Sequence, residues 1–446
     1  MSKYPLREQS VAAVYDPACE GNPFLAALPD ALSREVFLDS IRSLPPLPSG
    51  LGAMTPEQRR QHLPLLSSLF IPMEYMYAIY DQLYRALSST YTTRTMIEEI
   101  QRTNTLFRGS PVYATQPATG SILGVPGVGK TSTIRRTLSL LPQVIAHEEF
   151  GGKPFFCKQV LYLMVECPSD CSVKTLGLNI AVAIDKAIGS SYARQLTSLR
   201  SAAASAIATQ VKILCLTHHV GLILIDEIQN AVTTAQKNKQ IKPLIKFLVE
   251  LTNDTCTAAF FVGTPIAEEL FTSQEHLKRR TRGIRLLPFK PDGSYRAFLQ
   301  AIWPYQFTSA MAPLTEQMAN KLYDYSGGIP AYIIKIFQET QAQPLLQGES
   351  CITPKTMQRA IDILVIKVPR TFAGGTHISD FVSPSESEAS PMLVPTDPPS
   401  QVKRLYANPR GRKATPREEA DLIAAYQGGN LEEWLRTHDL LEAWAC

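Results

Sequence analysis

The sequence predicts an α/β protein built on a parallel sheet with helices on both faces, and three observations carry that expectation. Short apolar runs at 121–124, 160–166, 221–225 and 258–262 alternate with amphipathic stretches between about 111 and 290. Runs of four to seven apolar residues, rather than alternating ones, are expected of strands buried on both faces. The first run leads into Gly124-Val125-Pro126-Gly127-Val128-Gly129-Lys130-Thr131, which satisfies the phosphate-loop pattern G-x-x-x-x-G-K-[ST] between a strand and a helix. The third run ends in two adjacent carboxylates, Asp226-Glu227. At 446 residues the chain exceeds one domain, and 45% hydrophobic with 19% charged residues is an ordinary globular composition rather than a disordered one.

Other classes are set aside on similar grounds. Lys plus Arg number 44 and Asp plus Glu 40, a net charge of +4 that does not by itself announce a nucleic-acid partner. No apolar run has the length of a membrane span, and the first residues lack the apolar centre of a signal peptide, so a cytoplasmic protein is expected. Eight cysteines are scattered along the chain. Cys167 and Cys171, with Cys157 upstream, lack a second CxxC or CxxH pair, so buried free thiols are expected rather than zinc ligands.

Residues 1–110 read as helical and irregular. Thr55-Pro56-Glu57-Gln58 is a capping box with proline at the first helical position. After Pro72, Met73, Met76, Tyr77, Tyr80, Leu83, Tyr84 and Leu87 recur at helical spacing, a face that suits the core or, alternatively, a docked partner. Residues 111–290 form the sheet domain. Residues 291–368 lose the strand pattern and read as a small helical domain with a turn at Gly327-Gly328-Ile329-Pro330. Residues 369–414 are a linker: five prolines and five serines fall between 380 and 400, and the basic residues Lys403, Arg404, Arg410, Arg412 and Lys413 follow. A capping box at Thr415-Pro416-Arg417-Glu418 opens a tail, 415–446, with too few apolar residues (Tyr426, Trp434, Leu435 among them) for its own core. That tail is expected to dock on a partner.

The chemistry expected at the first loop follows from its residues. Gly124, Pro126, Gly127, Val128 and Gly129 turn backbone N–H groups toward a β-phosphate, Lys130 reaches the β/γ oxygens, Thr131 offers a hydroxyl to Mg²⁺, and Ser132 continues the helix start. Asp226 would hold the same Mg²⁺ and Glu227 would polarise the attacking water, since parallel sheets bind ligands at the carboxyl ends of their strands. Thr264, at the end of the 258–262 run, or Asn253 nearby, could help orient that water. Lys278-Arg279-Arg280-Thr281-Arg282 offers a cation to a neighbouring subunit's phosphate site, with Arg279 or Arg280 preferred.

The order phosphate loop, Asp-Glu strand, polar strand end, arginine cluster and helical lid resembles the AAA+ ATPases, nearest the initiator and transposition-helper branch. Within residues 90–345 the resemblance narrows. Leu141-Pro142-Gln143-Val144-Ile145 with His147, Gly152-Lys153-Pro154-Phe155, Gln159-Val160-Leu161-Tyr162-Leu163 and Glu166-Cys167-Pro168-Ser169-Asp170 look like TnsC-type regulators of Tn-seven-like and CRISPR-associated transposons. Gly21-Asn22-Pro23 with a following Ala-Leu-Pro also fits.

That resemblance implies ATP and Mg²⁺ as cofactors and assembly as a homo-oligomeric ring or filament on double-stranded DNA. It also implies a TniQ- or TnsD-like target selector and transposase subunits as partners. An initiator-type or STAND-like ATPase that assembles protein partners without DNA is the alternative, and a phosphoryl-transferring kinase a third. The usual second-sensor arginine near Gly328-Ile329-Pro330 is absent, and Lys335, one helical turn later, is its substitute. Candidate DNA contacts are Lys174 and Thr175 at a helix start, and Lys237, Lys239 and Lys242.

Overall fold

The computed structural model describes residues 10–17, 19, 21–94, 104–105, 108, 117–198, 203–231, 241–268, 283–369 and 376–378. Residues 1–382 form one compact unit and 383–446 a second, which lies outside the described residues with the expected tail and most of the expected linker; within the first part of that linker, Thr376–His377 form a strand of the main sheet instead.

The N-terminal region opens with a strand that the sequence did not announce, β1 (Ser10–Ala12), followed by α1 (Pro23–Ala26), α2 (Arg34–Ile41), α3 (Pro56–Gln61) and α4 (Glu74–Thr92). The capping box at α3 forms as expected: Thr55 Oγ1 accepts from the Gln58 N–H at 3.3 Å, and Gln58 Oε1 accepts from the Thr55 N–H at 2.9 Å. The same helix presents buried Arg59, which donates to the carbonyls of Phe307 and Thr308 far along the chain. Loss of an N-cap side chain costs ~1 kcal/mol. Thr55→Ala should therefore lower the urea midpoint of unfolding without changing the slope, and an unchanged midpoint would show the cap to be dispensable.

In α4 the tyrosine-rich stripe faces the core. Tyr75, Met76, Ile79, Tyr80, Leu83 and Leu87 are buried, while half-buried Tyr84 donates to the Pro29 carbonyl at 2.6 Å.

Next come β2 (Thr119–Gly124), α5 (Lys130–Leu138), β3 (Val144–Phe150), β4 (Lys153–Val160), β5 (Tyr162–Glu166), α6 (Val173–Ile188), α7 (Tyr192–Ser198), α8 (Ala204–Thr217), β6 (Leu222–Asp226), α9 (Ile241–Thr255), β7 (Ala258–Gly263) and β8 (Ile284–Leu287). The helical domain is α10 (Gly293–Ile302), α11 (Glu316–Ser326), α12 (Pro330–Gln347) and α13 (Pro354–Leu364), and β9 (Thr376–His377) follows.

The main sheet runs β5-β6-β7-β2-β8-β9 with every neighbouring pair parallel. Its burial on both faces is visible along β6: Leu222 and Leu224 belong to one apolar cluster with α4 and the helical domain, Ile223 and Ile225 to another with α6, α8 and α9. Period-two side-chain alternation splits one continuous apolar run between the two cores.

Two features correct the strand reading. The apolar run 160–166 is not one strand, because Val160 ends β4 in an antiparallel hairpin with β3 and Tyr162 begins β5 in the main sheet. That hairpin adds β1 in parallel to make a second, three-stranded sheet, so the N-terminal region is not purely helical and irregular.

In the helical domain Trp303 stacks on Phe337 at 5.0 Å and donates its indole N–H to Ala312 O. The expected turn forms with Gly327 and Gly328 both at positive φ (59° and 70°). A Cβ on Gly328 would come within 2.5 Å of the Phe289 carbonyl oxygen, so backbone contact excludes any other residue there.

Candidate nucleotide site

The loop between β2 and α5 needs its glycines for geometric reasons. Gly127 and Gly129 sit at φ +83° and +102°, and a Cβ on Gly124 would lie 2.9 Å from the Leu286 carbonyl oxygen of β8. Tyr75, from α4, is buried beneath the loop and donates its hydroxyl to Val128 O at 3.1 Å; burial pushes that phenol up to about 12. From the other side, the N–H of Ala331 at the start of α12 donates to Gly127 O at 3.2 Å. Strand, N-terminal helix and helical domain thus all hold the loop.

Lys130 is the first residue of α5, and its buried ammonium donates to Gly124 O at 2.6 Å and Val125 O at 3.1 Å. Burial lowers it to about 8, opposed by the nearby carboxylates of Asp226 and Glu227. Thr131 Oγ1 donates to Asp226 Oδ2 at 3.1 Å, and Asp226 Oδ1 accepts the Glu227 N–H at 2.9 Å. The hydroxyl and carboxylate expected to share Mg²⁺ are therefore already side by side. Their pairing, an oxygen-only donor set beside glycine-shaped backbone, fits a hard cation with phosphate.

The sheet order explains the meeting of residues so distant in sequence. β7 lies between β2 and β6, so Thr264, which follows β7, stands between the phosphate loop and the Asp-Glu pair. The Thr264 Oγ1 is buried without a hydrogen-bond partner, a donor left over for a ligand. Asn253 does not reach this place: it belongs to α9, which enters β7 at the opposite end of the strand.

These groups line one cavity of about 680 Å³, with Pro126–Ser132 (residues 126–132), Asp226, Glu227, Gln229 and Thr264 on its polar side. Leu66, Phe70, Ile71, Met73, Phe298 and Ile334 form an apolar wall suited to a heterocyclic base, and Lys335 and Gln338 reach in from α12.

Sequence reasoning missed Tyr75 and the apolar wall from 66–76, because no motif links a segment some fifty residues upstream to the loop. It also missed Gln229. Glu227 itself adopts a left-handed backbone, φ +56°, rare for a non-glycine residue and typical of functional turns.

Among the candidate DNA contacts, Ser172 caps α6, and Asp170 accepts from the Ser172 N–H at 3.0 Å and from the Thr175 hydroxyl at 2.8 Å. The Thr175 hydroxyl is thus paired with a carboxylate here, beside Lys174 on the same helix start. Lys242 is exposed on α9. Arg279, Arg280, Arg282, Lys237 and Lys239 lie outside the described residues.

Cys167 and Cys171 are buried free thiols, and burial pushes Cys167 up to about 12. Among the described residues no helix is long and apolar enough to cross a membrane.

A family model described as an AAA domain matches residues 114–271, a span that holds every site residue from Gly124 to Thr264. No curated protein matches the chain in sequence. Among solved structures the chain is similar to the ORC2 protein of Aeropyrum pernix in ADPNP-ADP complexes, at 14% identity over 59% of this chain and 66% of that one, TM-score 0.37. It is also similar to Drosophila ORC bound to DNA (11% identity, 77% and 72% covered, TM-score 0.43) and to the RuvB Holliday junction branch migration motor of Thermotoga maritima (13%, 62% and 72%, TM-score 0.33). The chain thus spans just under two thirds of the Aeropyrum ORC2 chain. The fold is the AAA+ P-loop fold.

Proposed function

We propose that the chain is an ATP-hydrolysing regulator that assembles as a ring or filament on double-stranded DNA and there connects a target-site selector to transposase subunits. The observation that carries the nucleotide half is the Thr131–Asp226 hydrogen bond, with Lys130 beside it and Glu227 next in the chain. Loop N–H groups cradle the phosphates while Lys130 exchanges its loop carbonyls for the β/γ oxygens. Thr131 and Asp226 would hold Mg²⁺, which when bound would supply positive charge to the phosphates. Glu227 orients the attacking water and takes its proton, and Thr264 donates its hydroxyl to the water or the γ-phosphate. Lys335 contributes a second cation from α12. Arg279 or Arg280 would supply transition-state charge from a neighbouring subunit.

The DNA and transposition half is supported by the TnsC-like run of motifs between 90 and 345 and by Lys174 at the start of α6. Lys237 and Lys239 are the second pair of proposed phosphate contacts. Electron microscopy of the protein with duplex DNA tests this reading: ordered assemblies that need both ATP and DNA are expected. Assemblies that need ATP and a protein partner but no DNA would replace it with the initiator-type or STAND-like alternative. Backbone contact further predicts that Lys174→Ala weakens binding equally on all duplex sequences and reduces the salt slope by about one. A loss confined to one sequence would contradict it.

A further inference from the structure

Two residues beyond the catalytic carboxylate, Gln229 makes a pair of hydrogen bonds whose polarity is fixed. Its Oε1 accepts the backbone N–H of Thr264 at 3.0 Å, and its Nε2 donates to Glu227 Oε2. An N–H can only donate, so the amide oxygen must face Thr264 and the NH₂ must face the carboxylate. The side chain lines the same cavity as Lys130 and Thr131, and it is packed from behind, since a Cβ on Gly263 would fall 2.6 Å from Gln229 Oε1. The backbone around it is equally tied: Ile228 N–H donates to Val262 O, Asn230 N–H to Glu227 O, and Cys167 N–H to Asp226 O.

We infer that Gln229 is a positioning residue, which couples the Glu227 carboxylate to the Thr264 backbone so that water orientation follows the γ-phosphate end of β7. This rests on the hydrolytic reading of the site. Glu227 is exposed and has a left-handed backbone, and its carboxylate accepts from the Gln229 amide. The Gln229 amide occupies one carboxylate oxygen and leaves the other for water. A shift of the β7 end is passed through the Gln229 amide to the base. Misplacement of a catalytic group by about 1 Å can cost on the order of 10²-fold in rate, so a tether of this kind belongs in kcat rather than in nucleotide affinity.

The test uses the full chain and three variants. Gln229→Met keeps the length and loses both hydrogen bonds; Gln229→Glu keeps the acceptor for Thr264 but sets a carboxylate against Glu227; Glu227→Gln reports on the underlying reading. Gln229→Met is expected to lower kcat at least about tenfold with ATP affinity within about twofold of the parent. Gln229→Glu should fall at least as far, although its contact to Thr264 survives. In the Glu227→Gln background, Gln229→Met should cause no further loss, because the group it positions is gone.

A Gln229→Met enzyme with parental kcat overturns the inference. So does a kcat loss that persists undiminished in the Glu227→Gln background, or one accompanied by an equal loss of nucleotide affinity and thermal stability. If Gln229→Met fails to fold, Gln229→Glu decides by the same split between kcat and affinity. Should Glu227→Gln alone hydrolyse ATP at the parental rate, the hydrolytic reading fails first and the inference falls with it.

Discussion

Lys130→Ala is expected to weaken ATP binding roughly 100-fold while leaving the protein folded. A hydrogen bond to a charged group contributes about 1.5–3 kcal/mol, and each 1.4 kcal/mol is tenfold in affinity; a lysine shared between two phosphates belongs at the upper end. The loss in the free protein is smaller, because the ammonium is buried, held down to about 8, and hydrogen-bonded to the neutral carbonyls of Gly124 and Val125. Removing it deletes a desolvated charge together with its two bonds, and thermal unfolding should move little. Titration calorimetry with ATP and Mg²⁺ makes the comparison. An affinity within about threefold of the parent would detach the nucleotide from this loop.

Glu227→Gln should keep that affinity and reduce hydrolysis by about 10²–10⁴-fold, the usual contribution of a general base. The substitution is isosteric, and it leaves the Thr131–Asp226 contact and the Asp226–Glu227 backbone bond as they are. Assemblies on DNA should then persist where the parent's turn over, since ATP is bound but not consumed. Phosphate release at the parental rate would assign the water to another residue.

The parts of this site that could be read from the sequence are those set by local pattern. The centres of β2, β6 and β7 are apolar runs because both faces of the main sheet are covered, and a loop that must bend around phosphate needs glycines at fixed spacing. The hairpin β3–β4 escaped notice because only one of its faces is packed: Lys153, Phe156 and Lys158 are exposed, Gln159 and Val160 buried, and no single period stands out. Its last residues merge in sequence with β5, although one leucine later the chain is in another sheet. Tyr75 and Gln229 could not be read at all. Glutamine two residues after a carboxylate is unremarkable until β7 brings the Thr264 N–H to meet it, and a tyrosine on an apolar stripe says nothing of the carbonyl above it. The Thr175 hydroxyl was legible as a polar group at a helix start, whereas its pairing with Asp170 was not.

The order of strands in the main sheet also sets a timetable for synthesis. β2, which carries the phosphate loop, is made before any of its neighbours: Thr119 pairs with Ala259 and Ile122 with Ile284. The cavity additionally needs Ile334, Lys335 and Gln338 from α12. At about 5–20 residues per second, roughly 10–40 s separate the emergence of the loop from that of its last wall. Until β7 is made β2 has no partner in the sheet, and until α12 is made the cavity lacks its last wall. The strand that carries the phosphate loop thus waits longest for the neighbours that enclose its cavity.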